Sequence, residues 1–329
     1  MNVNRNPKVT VIIPTIGRDT LPKALESVIN QTYKNLEIII TDDTEERKAF
    51  QLVSPYLEKD NRIRYIVNTK YRHGPAGNKN NGLDNITGEY YTFCDDDDTL
   101  LPDAIETLVN IAIENGYKIV FGNCVDQYNR FTGKHYGKDQ EVDYKALLCG
   151  DFEGEYFGIV ESSILENDRF IDDCWGGEGI LWLKLWKKAQ KGFYVHKILR
   201  NYRLEGEDSV IKTSTLYYDR IYRSMLNYVY TIENFLNDFI QICPGQVLRY
   251  CIIGIYFARL AKDRKRILWF AFKGIRASKI AGILVLMWAI FCFLAPEDLV
   301  RKLWTSNIKN YLKKLFLRKG KDEKNKFSI

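Results

Sequence analysis

Four consecutive aspartates, Asp95-Asp96-Asp97-Asp98, close the apolar run Tyr90-Tyr91-Thr92-Phe93-Cys94, and a second acidic pair, Asp42-Asp43, closes Leu36-Glu37-Ile38-Ile39-Ile40-Thr41. Clustered carboxylates raise one another's pKa, and a divalent cation removes the conflict. Hard oxygen donors suit Mg²⁺ or Mn²⁺. Mg²⁺ takes one or two protein carboxylates and completes its shell with phosphate and water, so the run calls for a diphosphate-bearing partner. A solvated turn capping the helix that begins near Pro102 would need one acid, and four exceed that need.

The elements that must position these acids alternate. Val9-Thr10-Val11-Ile12-Ile13 is a short β-branched run stopped by Pro14, the pattern of a buried strand. Leu21, Ala24, Leu25, Val28 and Ile29 give the stripe of an amphipathic helix over Leu21 to Gln31. Strands follow at 36–41, 63–67, 90–94 and 119–122, with helical stretches near 77–85 and after Pro102. Alternating strands and helices predict a mostly parallel, open α/β sheet, in which ligands sit at the carboxyl ends of the strands. Both acidic clusters fall at such ends. Between Gly122 and Asp173 the pattern is irregular, rich in aromatics and glycine. Glu178 to Gln190 is again helical, Phe193-Tyr194-Val195 and Ile198-Leu199 read as two short strands, and long helical segments follow Ser214. A domain boundary is expected near Thr213, giving residues 1–213 and 214–329.

The ordered motifs resemble the family 2 glycosyltransferases, inverting enzymes with the GT-A fold that use nucleotide sugars. Val11-Ile12-Ile13-Pro14-Thr15, Ser27 to Tyr33 and Leu36 to Asp43 are similar to the family's opening. Ala76-Gly77-Asn78-Lys79-Asn80-Asn81-Gly82 with Thr87-Gly88-Glu89-Tyr90 resembles "ARNxG…GEY", and Cys94 to Asp98 resembles "LDxDD", which holds the DxD motif. The likeness covers about Val9 to Ser209. It implies a nucleotide-sugar pocket at Pro14, Thr15, Arg18, Asp42, Asp43, Lys79, Asn80, Asp95, Asp96 and Arg203, with Asp42 and Asp43 reading a base such as uracil and Asp95 on the ribose. It implies a metal, Mn²⁺ or Mg²⁺, on Asp97 assisted by Asp98. Lys79 replaces the family's usual Arg and loses its planar fork. Aligning Leu181-Trp182-Leu183 on the family's "LWLRL"-like helix puts Glu178 at the Asp of the catalytic "ED" pair and Gly177 at its Glu. A glutamate can act as general base, while an acid that opens a helix is also favourable on dipole grounds alone. Glu155, Asp172 and Asp173 are the neighbouring alternatives. In Asn201-Tyr202-Arg203-Leu204-Glu205, similar to "YRxHxxS", Glu205 stands where the family has His.

Two other readings remain open on the residues alone. Asp95 to Thr99 also satisfies the DxDxT signature of haloacid-dehalogenase-type phosphatases, whose first Asp is a nucleophile. Gly177 and Gly179 around Glu178 would suit a non-catalytic nucleotide-sugar-binding protein. No QxxRW motif occurs, so a single-addition enzyme is expected rather than a processive one.

Composition narrows the setting. With 46% hydrophobic residues, 27% charged and 8 prolines in 329, disorder is excluded. Seven scattered cysteines without a CxxC pair, and three histidines, disfavour a Cys/His zinc site and fit a reducing compartment. The N-terminus shows no secretory signal pattern. From Arg259 to Ile329, 18 Lys and Arg face 5 Asp and Glu, whereas the preceding residues are net acidic. Ile280 to Ala295 is sixteen uncharged, mostly apolar residues with basic flanks on both sides, short of the ~20 needed for a span. These features predict a helical, basic C-terminal region held peripherally, monotopically or re-entrantly at the cytoplasmic membrane face, with Trp269, Trp288 and Trp304 at the interface and Leu303, Tyr311, Leu312 and Leu315 continuing an amphipathic pattern. The partners expected are a nucleotide-sugar donor, a glycan or lipid-linked acceptor in cell-envelope assembly and anionic lipid, with no nucleic acid.

Overall fold

The computed structural model describes residues 5–203 and 218–305. The expected boundary at Thr213 lies outside the described residues, as do Glu205, Tyr311, Leu312 and Leu315. Residues 5–147, 151–172 and 177–203 form one compact unit; 148–150, 173–176 and 218–305 form another.

The first unit is built on nine strands: β1 (Val9–Thr15), β2 (Leu36–Asp42), β3 (Ile63–Val67), β4 (Tyr90–Phe93), β5 (Thr99–Leu100), β6 (Ile119–Val125), β7 (Gln140–Asp143), β8 (Tyr156–Glu161) and β9 (Lys191–Asn201). They form one sheet in the order β3-β2-β1-β4-β8-β6-β9-β5, with β7 paired to β9. The helices are α1 (Leu21–Ile29), α2 (Lys48–Leu57), α3 (Pro75–Leu83), α4 (Ala104–Asn115), α5 (Tyr144–Leu148) and α6 (Glu178–Ala189). Strands β1, β2, β3 and β4 are mutually parallel, and β1, β2 and β6 are buried along their whole length, which is why their sequences are apolar without alternation. The α/β sheet is as expected, but it is mixed rather than mostly parallel: β1–β2, β1–β4, β2–β3 and β6–β9 pair in parallel, whereas β4–β8, β6–β8, β5–β9 and β7–β9 pair antiparallel.

Three further features differ from the sequence expectation. β8 lies inside the irregular stretch yet occupies the middle of the sheet, antiparallel to both β4 and β6. A Cβ on its Gly158 would lie 2.7 Å from the Val120 oxygen, so a residue that weakens a strand by propensity is required here by close approach. The segments read as two strands near 193 and 198 form the single strand β9, whose register against β6 shifts around Asn123 and so absorbs the polar His196-Lys197 pair. α2, which contains Pro55, gave no helical signal.

Register fixes the site's position. Thr15 pairs with Asp42 and Ile12 with Phe93, so the acidic ends of β2 and β4 reach the same sheet edge beside Thr15.

The second unit is helical: α7 (Tyr218–Ile242), α8 (Pro244–Leu260), α9 (Arg264–Ala277), α10 (Lys279–Leu294) and α11 (Glu297–Leu303). No helix among the described residues is long and apolar enough to cross a membrane. Two of the expected interfacial tryptophans are instead drawn inward. Trp304 is buried and stacks on Tyr256 with ring centroids 4.3 Å apart, and Trp288 donates through Nε1 to the Ile252 oxygen. Indoles find such partners when a ring and an acceptor lie nearby.

Candidate active site

The four aspartates do not act as a block. They form a turn between β4 and β5, closed by the Asp98 amide donating to the Asp95 oxygen at 3.0 Å, in which Asp96 and Asp98 are buried and Asp95 and Asp97 are half-buried. Each buried acid has its own partners. Asp96 accepts from the Thr15 hydroxyl, the Ile16 amide and the Arg18 guanidinium. Asp98 accepts from the Arg203 amide at 2.9 Å and pairs with Arg200 at 3.3 Å. Burial pushes the Asp98 carboxyl up to about 7, against the opposing pull of Arg200 and with help from Asp95.

Lys79 links the motifs. Its Nζ lies 3.5 Å from Asp95 Oδ1 and 3.2 Å from Glu178 Oε1. Burial disfavours its charge, but Asp95, Glu178 and Glu155 outweigh burial and hold its pKa above the usual lysine value. The same exchange holds Asp95 below the usual carboxylate range: burial works against it, and Lys79 followed by Arg200 overcomes burial. Lys79 reaches this point because α3 packs hard onto the sheet. A Cβ on Gly82 would fall 2.4 Å from Ile12 Cγ2, and one on Gly77 would fall 1.9 Å from the Arg72 oxygen. Glu178 is the first residue of α6, after Gly177, so its carboxylate sits at the helix's positive end.

Among the described residues Asp97 makes no ion pair of the kind its three neighbours make. Burial raises its pKa, Arg18 opposes, and Asp95 and Asp96 add to the rise. Among the described residues no three His, Cys, Asp or Glu side chains converge into a metal cage. A single open carboxylate crowded by others nevertheless fits a hard divalent cation that draws its remaining ligands from a diphosphate and water.

Asp42 is fully buried, and both oxygens are occupied: Oδ1 accepts from the Thr44 amide and hydroxyl, Oδ2 from the Ala49 amide and the Tyr65 hydroxyl. It ties β2 to α2 and β3 rather than facing a base. Asp43 accepts from Asn68 Nδ2 and the Gly74 amide, and burial pushes its carboxyl up against those bonds. Asn80 turns away from Lys79, because successive helical residues point about 100° apart, and exchanges two hydrogen bonds with the Phe170 backbone. Pro14 is buried within β1, whereas Arg203 is exposed. Asp172 accepts from the Arg72 amide.

Arg200 was not among the expected residues. It is buried, sits 3.6 Å from Glu155 and directs Nε to Cys124 Sγ. Burial raises Glu155, Arg200 lowers it, and Glu178 raises it again, so Glu155 belongs to the same electrostatic field as Lys79 and Asp95. The available signal was an arginine inside an otherwise packed strand.

The arrangement offers a cation between two carboxylates and a third, half-buried carboxylate at the carboxyl ends of the parallel strands β1, β2 and β4. The family model described as Glycosyl transferase family 2 matches residues 10–165. A GalNAc(5)-diNAcBac-PP-undecaprenol beta-1,3-glucosyltransferase from Campylobacter jejuni is 38% identical over 308 residues, spanning 90% of this chain and 96% of that protein. This chain belongs to glycosyltransferase family 2. Among solved structures, S. aureus TarS 1–349 in complex with UDP-GlcNAc aligns with a TM-score of 0.58 at 15% identity, over 84% of this chain and 90% of that one. The mannosyltransferase PcManGT from Pyrobaculum calidifontis in complex with GDP-Man and Mn²⁺ aligns with a TM-score of 0.53 at 16% identity, over 97% and 89%. These likenesses show that the glycosyltransferase has the GT-A type fold. Membership in the family also removes the phosphatase and the non-catalytic binder.

Proposed function

We propose that this glycosyltransferase moves a hexosyl or N-acetylhexosaminyl group from a nucleoside-diphosphate sugar, a UDP-sugar first, to a glycan carried on a polyprenyl diphosphate, at the cytoplasmic face of the cell membrane. The observation that carries the chemistry is the Lys79 bridge, which brings Asp95 of the acidic motif and Glu178 of α6 to one cation. The acceptor class is supported by the C. jejuni relative, whose name specifies an undecaprenol-linked glycan. The membrane setting is supported by the basic tail.

In this proposal Glu178 removes the acceptor hydroxyl's proton as that oxygen attacks the anomeric carbon, and one displacement inverts the centre. Lys79 holds Glu178 in place and supplies positive charge near the departing diphosphate. Asp95 and Asp43 orient the nucleoside, and Arg203 is the exposed cation available to the phosphates. Asp97 would hold Mn²⁺ or Mg²⁺, which supplies charge neutralisation of the diphosphate when bound. Asp98, paired with Arg200, supports the loop from beneath.

The test is a panel of nucleotide sugars offered to the full-length enzyme with Mn²⁺ and a polyprenyl-diphosphate-linked oligosaccharide, scored by nucleoside diphosphate release and by mass of the extended lipid. One donor should be consumed with a single sugar added. Equal turnover with free sugars, or none with any lipid-linked acceptor, overturns the acceptor assignment.

A further inference from the structure

The helical unit holds charge and apolar surface that transfer chemistry does not use. α9 and α10 form an antiparallel hairpin joined through Ser278, whose hydroxyl accepts from the Ala281 amide. Two glycines let the helices touch: a Cβ on Gly274 would lie 2.9 Å from Val285 Cγ1, and one on Gly282 would lie 2.6 Å from the Ile275 Cα. Facing residues such as Phe270 and Val285 are buried. The outer face is also apolar. Leu268 and Phe272 on α9, and Ile283, Met287, Ile290 and Leu294 on α10, are exposed at helical spacings, Leu294 to 76%. So many exposed large apolar side chains on two helices packed together are unusual for a surface meant only for water.

At the open end of the hairpin lies a cavity of about 440 Å³ lined by Arg259, Lys262, Arg264, Ile267, Phe293 and Glu297. The acid in its wall is already engaged, since Glu297 pairs with Arg301 at 2.9 Å. The cations are not neutralised in the same way. Arg264 lies over the Phe293 ring at 5.0 Å. Arg259 donates through one terminal nitrogen to the Ala295 oxygen at 3.0 Å, while its Nε is buried with no hydrogen-bond partner among the described residues. Lys262 holds its backbone at φ 58, a conformation uncommon outside glycine, at the turn between α8 and α9. Three cations around one cavity repel one another, and a buried N–H without an acceptor is costly. An anion with several oxygens relieves the repulsion, and guanidinium forks match phosphate geometry. Leu268 is one turn from Arg264 and Leu294 adjoins Phe293, so the apolar face begins at the rim of the cationic cavity.

We infer that the cavity binds a phosphate group borne on a lipid, whose chain lies along the exposed face of the α9–α10 hairpin. The inference rests on the membrane setting proposed above and gives it a defined site. With 18 Lys and Arg against 5 Asp and Glu from Arg259 onward, the surrounding charge fits an anionic glycerophospholipid of the bilayer rather than a single polyprenyl carrier.

The experiment is flotation of the full-length protein on phosphatidylcholine vesicles, plain or doped with phosphatidylglycerol or with polyprenyl phosphate. The pocket variant Lys262→Gln/Arg264→Gln is compared with Arg276→Gln/Lys279→Gln, which removes the same charge at the hairpin's other end. Phosphatidylglycerol-doped vesicles should bind the wild type more tightly than plain ones, and binding that appears only with polyprenyl phosphate overturns the bilayer-lipid assignment. The pocket variant should lose about thirtyfold in affinity if two cations engage the headgroup, and the control variant far less. Inorganic phosphate should displace the protein more than chloride at equal ionic strength. Equal losses in the two variants, or equal displacement by the two salts, overturn the site and leave general charge attraction. A wild type that floats on no vesicle overturns the membrane setting, and the site with it. Donor turnover in detergent by the pocket variant confirms that it is folded.

Discussion

Replacing Lys79 with methionine removes the cation while keeping a chain of similar length beside Phe93, whose ring lies 5.7 Å from Nζ. What remains is two carboxylates, Asp95 and Glu178, that had shared it at 3.5 and 3.2 Å. Removing one partner of a fully buried ion pair costs about 3–5 kcal/mol. Here the Lys79 side chain is 14% exposed, but Asp95 and Glu178 are 34% and 32% exposed, so water takes up part of the loss and about 1–3 kcal/mol is expected. For a unit of this size each kcal/mol moves Tm by roughly 2–4 °C, giving a fall of about 2–12 °C. The kinetic effect should be larger than stability explains. Loss of one preorganised group facing transition-state charge costs about 10²–10³ in kcat, and loss of Glu178's anchor adds to it. Lys79→Arg, which restores the residue usual in the family, should keep kcat within about tenfold. The assay is nucleoside diphosphate release at saturating donor, well below each variant's Tm, with unfolding followed by circular dichroism. If Lys79→Met lowers Tm yet turns over at the wild-type rate, Lys79 is only a structural tie and the link between the acidic motif and Glu178 has no catalytic meaning.

Glu178→Gln can still accept from Lys79 but takes no proton, so kcat should fall by about 10²–10⁴ with donor KM little changed; an unaltered kcat moves the base to Glu155 or Asp172. Asp97→Ala should abolish Mn²⁺-dependent donor binding in calorimetry, and full wild-type activity in excess EDTA would contradict the metal assignment. Asp42→Asn points an amide at groups that themselves donate, leaving two or more unsatisfied at about 2–4 kcal/mol in total; Tm should drop with donor KM unchanged, and the reverse pattern would return Asp42 to the base pocket. Asp98, pushed up to about 7 chiefly by burial, binds its proton more tightly in the folded state than in the unfolded chain, where a carboxyl titrates near about 3.9. Its contribution to stability therefore rises as pH falls from about 7 to about 4 and is withdrawn as pH rises. The Tm difference between wild type and Asp98→Asn should grow in the wild type's favour on acidification across that window, and a flat difference contradicts the shift.

Much of the sheet was legible because burial on both faces leaves β1, β2 and β4 largely apolar, with the interior Thr10 hydroxyl donating to Glu37 at 2.6 Å, and runs of acids stand only where the strands end. The acids therefore marked the strand ends by themselves. β8 was not legible: its Gly158 breaks the run, and only the closeness of Val120 explains why glycine must stand there. Among the site residues, sequence could not separate Asp42 from Asp43, since what distinguishes them is Tyr65 and the Ala49 amide, brought up by β3 and α2. Nor could it separate Lys79 from Asn80, because the segment that captures Asn80, at Phe170, is 90 residues away. Trp288 and Trp304 looked like interfacial anchors for the same reason, their acceptor and stacking partner lying on α8.

The four aspartates show why this limit is physical. A run of like charges is tolerable only if each finds a different relief, and here the reliefs come from distant chain positions: Arg18 after β1, Lys79 on α3, Arg200 on β9. None of these can act until β1, β4 and β9 occupy one sheet. The acidic loop is thus ordered by the completed fold, and the same partition that satisfies Asp95, Asp96 and Asp98 leaves Asp97 outside their ion pairs. Replacing Arg18 or Arg200 should then disturb Asp97 indirectly, through the buried neighbours that hold its backbone.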